Sequence, residues 1–137
     1  MTQPQRERYD KLGESVAKAL ISRHFEAYYC PDAESAKAKL LEWIPQGDTV
    51  AWGGSQTLDE LGVQAMLRAR GQTLIDRDTA KTPEERNALM RAALTADIFL
   101  MSSNAITEDG QLVNMDGNGN RVAALIYGPR SVIVVAG

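Results

Sequence analysis

The chain has 137 residues, 44% of them hydrophobic and 24% charged, with a formal net charge of −3. That length fits one domain over residues 1–137, with a core large enough to stand without disulfides or structural metal. The acidic balance argues against a nucleic-acid or anionic-membrane surface, because no basic excess is present to neutralise phosphates.

Cys30 is the single cysteine and His24 the single histidine. Together they cannot supply a four-ligand zinc or iron–sulfur site, so no cofactor is expected in this chain. A lone cysteine fits a reducing compartment. The N-terminus is polar and unlike a signal peptide, and no apolar run approaches the ~20 residues that cross a bilayer. A cytoplasmic location is the expectation.

In chain order, Tyr9, Leu12, Val16, Ala19 and Leu20 recur at helical spacing and predict a helix over about Arg6–Ser22. The aromatic run Phe25–Cys30 reads as a short strand. Pro31 and Asp32 break it, with Asp32 as N-cap of a helix whose apolar face is Ala36, Leu40, Trp43 and Ile44. After a turn at Pro45–Asp48, Thr49–Trp52 is a buried strand, ended by Gly53, Gly54 and Ser55. Thr57 and Glu60 fit a capping box that opens a helix to about Arg70, stopped by Gly71. Thr73–Asp76 is a short strand. Thr82-Pro83-Glu84-Glu85 opens a helix to about Ala96, and Asp97–Ser102 has the pattern of a central strand. Ala105–Thr107 and Gln111–Met115 flank Glu108-Asp109-Gly110 as a hairpin. Arg121–Tyr127 is helical, and Ser131–Ala136 is a β-branched strand expected to be buried on both faces. This alternation implies a largely parallel α/β sheet with helices on both faces. Because the chain stops just after its most hydrophobic strand, the domain is expected to be truncated at its C-terminus.

Two regions can carry chemistry. Gly53, Gly54, Ser55 and Thr57 lie between a strand and a helix start, where small residues and free amides suit a phosphate or carboxylate. The same pattern also describes a plain strand-to-helix turn. The second region runs from Ser102 to Arg121. Asn104 follows a central strand, where ligands of open α/β sheets sit. Asn118, Gly119 and Asn120 open a helix, and Arg121 can pair with an anion. Glu108 and Asp116 are the carboxylates available for proton transfer. Turn and capping preferences of Asn and Asp explain part of this run. Asp76-Arg77-Asp78 can reach the same strand-end crevice but reads first as a surface loop.

The segment Trp52-Gly53-Gly54-Ser55-Gln56-Thr57-Leu58-Asp59-Glu60-Leu61-Gly62 and the long run Asn104–Ala124 resemble the two signatures of the lactate-utilisation (LUD) domain family. Ile75–Asp78 and Lys81–Arg86 fit the pattern between them. The resemblance implies the fold shared by ribose-5-phosphate isomerase, glucosamine-6-phosphate deaminase and CoA transferases. It also implies a link to oxidation of L-lactate to pyruvate beside iron–sulfur protein subunits. Some family members carry a further cysteine-rich segment, whose metal function does not transfer to these residues.

Three functions follow as expectations. The first is an accessory component of lactate utilisation that binds a small anionic molecule or a partner subunit. The second is an enzyme acting on a phosphorylated or CoA-linked small molecule, with Glu108 or Asp116 as base. The third is a non-catalytic partner-binding module. Self-association is a further expectation.

Overall fold

The computed structural model describes residues 1–137. Its centre is a four-stranded, all-parallel sheet in the order β2-β1-β3-β6, built from β1 (Thr49–Trp52), β2 (Thr73–Ile75), β3 (Ile98–Met101) and β6 (Ser131–Val134). The register pairs Ala51 with Ile75 and with Phe99, and Leu100 with Ile133. The parallel α/β architecture expected from the alternating pattern is therefore observed.

Side-chain alternation along the strands divides the core into two layers. Val50, Trp52, Ile98 and Leu100 face one way. They pack against α2 (Ala33–Trp43), α3 (Gln56–Leu61) and α4 (Val63–Ala69) through Leu40, Leu58, Val63 and Leu67. Ala51, Phe99 and Met101 face the other way, against Ala93 of α5 (Pro83–Ala93) and Ala124 of α6 (Asn120–Tyr127). All four residues of β3 are buried, which explains their uninterrupted apolar run.

The expected helix over Thr57–Arg70 is divided. Gly62 adopts the left-handed conformation, φ 67°, which glycine enters without steric cost. It ends α3 and starts α4. The cap also moves: Ser55, not Thr57, accepts the free Leu58 amide at 3.2 Å, and Glu60 bonds Gln56. Thr82 and Asp32 cap α5 and α2 as their sequences imply.

Phe25–Cys30 is not a strand. Its aromatics serve helix packing instead of alternating about a sheet. Tyr28 meets Trp43 edge-on at 5.4 Å and carries Lys39 over its ring, while Tyr29 lies against α1 (Gln3–Ser22). The β6 strand is only partly covered: of its four residues Ile133 alone is buried and Ser131 is exposed, because the strand order puts it at the sheet edge.

Helix α1 lies outside the two core layers, and none of its residues is buried. Two clasps attach it. The hairpin of β4 (Ala105–Ile106) and β5 (Leu112–Val113) brings Gly110, φ 87°, so close to Ala19 that a Cβ would sit 2.8 Å from its carbonyl carbon. Arg23 also donates to the Asp109 carbonyl at 2.8 Å. At the other clasp, the Tyr29 ring occupies the space beside Gly13, where a Cβ would lie 2.1 Å from the ring. The Tyr29 hydroxyl donates to Asp10 at 2.6 Å.

Gly13→Ala tests this clasp. Alanine ordinarily favours a helix over glycine by about 1 kcal/mol, yet here it should lower Tm, because the ring must leave. The Asp10 hydrogen bond, with burial and the nearby carboxylates, pushes the Tyr29 hydroxyl from 10.0 up to about 12. A raised pKa means that the clasp contributes fully below pH 10 and is lost as pH climbs to about 12. Stability measured across pH 9–12 should fall in wild type more steeply than in Tyr29→Phe. Parallel curves would remove the clasp from the account.

Candidate functional site

In a parallel sheet every strand ends at the same edge. The loop after β1 holds Gly53 and Gly54, the loop after β2 holds Asp76 and Arg77, and the segment after β3 runs through the hairpin to Asn120. The chain leaves β1 for β2 on one side and reaches β3 on the other. The boundary between β1 and β3 is thus a topological switch point, where the flanking connections diverge to opposite faces and leave a crevice.

An open crevice of about 300 Å³ lies there, lined by Gly53, Gly54, Arg77, Met115, Asp116, Gly117, Asn118, Asn120 and Arg121. Met115 is its one hydrophobic lining residue. The two polar regions singled out in the sequence therefore face one space. Gly53 is buried, and its amide donates to the Leu100 carbonyl at 3.0 Å, which ties the β1 turn to β3. Ser55 and Thr57 do not line the crevice. The Ser55 hydroxyl is occupied in capping α3, and Thr57 lies in that helix's first turn.

The far wall is held by a compact ion pair. Arg121 and Asp116 approach to 2.8 Å with side chains only 13% and 9% exposed. Asp116 also accepts the Val122 amide at 2.8 Å, at the start of α6. The Arg121 guanidinium donates further to Asn104 Oδ1 and to the Met115 carbonyl, and Asn104 Oδ1 accepts the Met115 amide. Asn104 thus sits behind the wall, supporting it. Gly119 is the residue preceding α6, with Asn118 and Asn120 on either side facing the crevice. Glu108 occupies the exposed hairpin turn and does not line the crevice.

Arg77 is the functional candidate that the sequence reading set aside as surface loop. It lines the crevice and also a small apolar void with Leu89, Met90, Ala93 and Phe99. Its Nε is buried without a hydrogen-bond partner, and its guanidinium lies over Gly54, where a Cβ would approach it to 2.6 Å. The flanking carboxylates are engaged elsewhere: Asp76 with Arg68, Asp78 with Arg86 at 3.6 Å. The signal available in the sequence was position alone, directly after a strand at the sheet's carboxyl edge.

With Asp116 matched by Arg121, the lining keeps one net positive charge, on Arg77. The fold and crevice define an α/β domain with a polar switch-point site. The LUD domain family model matches residues 13–137, and the chain belongs to that family, a lactate-utilisation-related domain. No curated protein and no solved structure matches it.

The Asp116–Arg121 pair should carry the far wall. Removing one partner of a buried pair leaves the other charge unmatched, which typically costs about 3 kcal/mol. Asp116→Asn and Arg121→Met should each destabilise by roughly that amount in chemical denaturation. The double variant should lose less than the sum of the two. Additive losses would mean that the pair does not act as a unit.

Proposed function

We propose that this LUD domain is an accessory component of L-lactate utilisation that binds a small anionic ligand in the switch-point crevice. The observation that carries the reading is the crevice itself: nearly all its lining is polar, it bears one net positive charge, and it opens where an α/β sheet receives ligands. About 300 Å³ suits a small molecule. A small hydroxy or oxo acid has the right character, with a carboxylate for the positive charge and oxygens for Asn118, Asn120 and the backbone of Gly54 and Gly117. The family resemblance adds iron–sulfur protein subunits as partners in this proposal.

Binding is favoured over catalysis by the state of the two carboxylates. A general base must reach its proton with a free lone pair. Asp116 is already engaged by Arg121 and by the Val122 amide, and Glu108 lies in the hairpin turn. An enzyme working on a phosphorylated or CoA-linked substrate would need Arg121 to release Asp116 first.

Thermal shift with L-lactate, pyruvate, inorganic phosphate and CoA tests the reading. At ~100 times Kd a ligand stabilises the folded state by about 2.7 kcal/mol, a rise of several degrees in Tm. We expect such a rise with at least one small anion. The isolated domain should not convert L-lactate to pyruvate with an artificial electron acceptor. Silence with every anion overturns the binding site, and turnover overturns the accessory role.

A further inference from the structure

We infer that Arg77 is the anion-recognising residue of the crevice and that the ligand presents one carboxylate or phosphate group to it; this deepens the reading just given and rests on it. Ile75 pairs with Ala51 in the sheet, so Arg77, two residues on, leaves the sheet beside the Gly53–Gly54 turn. The short 3-10 turn Arg77–Thr79 starts there, capped by Asp76, which accepts the Asp78 amide at 2.9 Å. That cap, with Arg68 on its other oxygen, directs the Asp76 carboxylate away from the arginine that follows it.

The placement of Arg77 solves two problems together. Its long apolar stem can cover the void walled by Leu89, Met90, Ala93, Leu94 and Phe99, while its charged head reaches the polar crevice. The head meets no carboxylate of its own chain. Asp76 serves Arg68, Asp78 serves Arg86, and Asp116 serves Arg121. A guanidinium with a buried, unpartnered Nε has an unmet hydrogen-bonding need. A planar oxyanion supplies two acceptors in the geometry of the guanidinium fork.

This assignment also explains the glycine pair differently from a bare phosphate turn. A Cβ at Gly53 would make only ordinary contacts, at 3.5 Å from Phe99 and 3.6 Å from Arg121. At Gly54 it would fall on the Arg77 guanidinium. Gly54 is therefore the position where a side chain and the arginine compete for the same space. One unpaired cation implies one anionic group on the ligand, with its remaining oxygens directed at Asn118 and Asn120.

The test is calorimetric titration of the full chain with L-lactate and, separately, inorganic phosphate, using wild type, Arg77→Lys, Arg77→Met and Gly54→Val. The Arg77 side chain makes no internal hydrogen bond, and its carbonyl, which accepts the Ala80 amide, is untouched by substitution, so circular dichroism should show all four folded. We expect Arg77→Met to weaken binding at least tenfold, Arg77→Lys to fall between because it keeps charge but loses the fork, and Gly54→Val to mimic Arg77→Met. Tighter binding of lactate assigns the group as carboxylate, and tighter binding of phosphate assigns it as phosphate. Either supports the inference. Wild-type binding that Arg77→Met leaves unchanged overturns the inference while the crevice keeps its function. If wild type binds neither anion, the inference fails, and pyruvate and CoA in the thermal-shift screen then decide whether the underlying reading fails with it.

Discussion

Parallel pairing is the constraint on which the rest of this molecule depends. Four strands that run the same way must all deliver their following loops to one edge. That geometry brings Gly53, Arg77 and Asn120, far apart in the chain, to a single crevice. The order β2-β1-β3-β6 adds the gap, because the connection after β1 crosses one face and the connection after β3 crosses the other. Everything polar at that edge is then arranged around a gap that backbone topology has already opened.

The crevice has one fixed wall and one responsive wall. Asp116 and Arg121 pair across the loop that enters α6, and Asn104 ties the same guanidinium to the end of the β3 connection. These groups spend their charge and hydrogen bonds on one another. Arg77 differs in having no such partner, although it stands between two aspartates in sequence. An internal ion pair that satisfies itself gives shape, and an unpaired guanidinium gives affinity. Breaking the Asp116–Arg121 pair to engage a ligand would leave Asp116 unmatched, which is costly.

Much of the fold was legible because local and global signals agree. Val50–Trp52 and Ile98–Met101 are apolar runs bounded by turn residues, and Thr82 and Asp32 cap helices as residues of their type should. The hairpin around Glu108-Asp109-Gly110 was readable from turn chemistry. Three features were not. Phe25–Cys30 has strand composition, but its aromatics find helix partners, and composition cannot report which surface an aromatic ring will meet. Gly62 divides a helix whose apolar spacing continues across it, so periodicity hid the break. The β6 strand is as apolar as a central one, and only strand order reveals its edge position. In the site, residue type identified a polar crevice at the strand ends. It could not distinguish Arg121, consumed by Asp116, from Arg77, which is free, because that difference depends on contacts distant in sequence.

The most direct test of the central claim is an amide-resolved NMR titration of the full chain with L-lactate and inorganic phosphate. The account predicts saturable shifts in at least one titration, concentrated at Gly53, Gly54, Gly117, Asn118 and Asn120 and at the Arg77 Nε–H resonance, with the opposite edge of the sheet around Asp48 and Arg130 unmoved. Saturable shifts that map elsewhere, or no saturable shift with either anion, would contradict it.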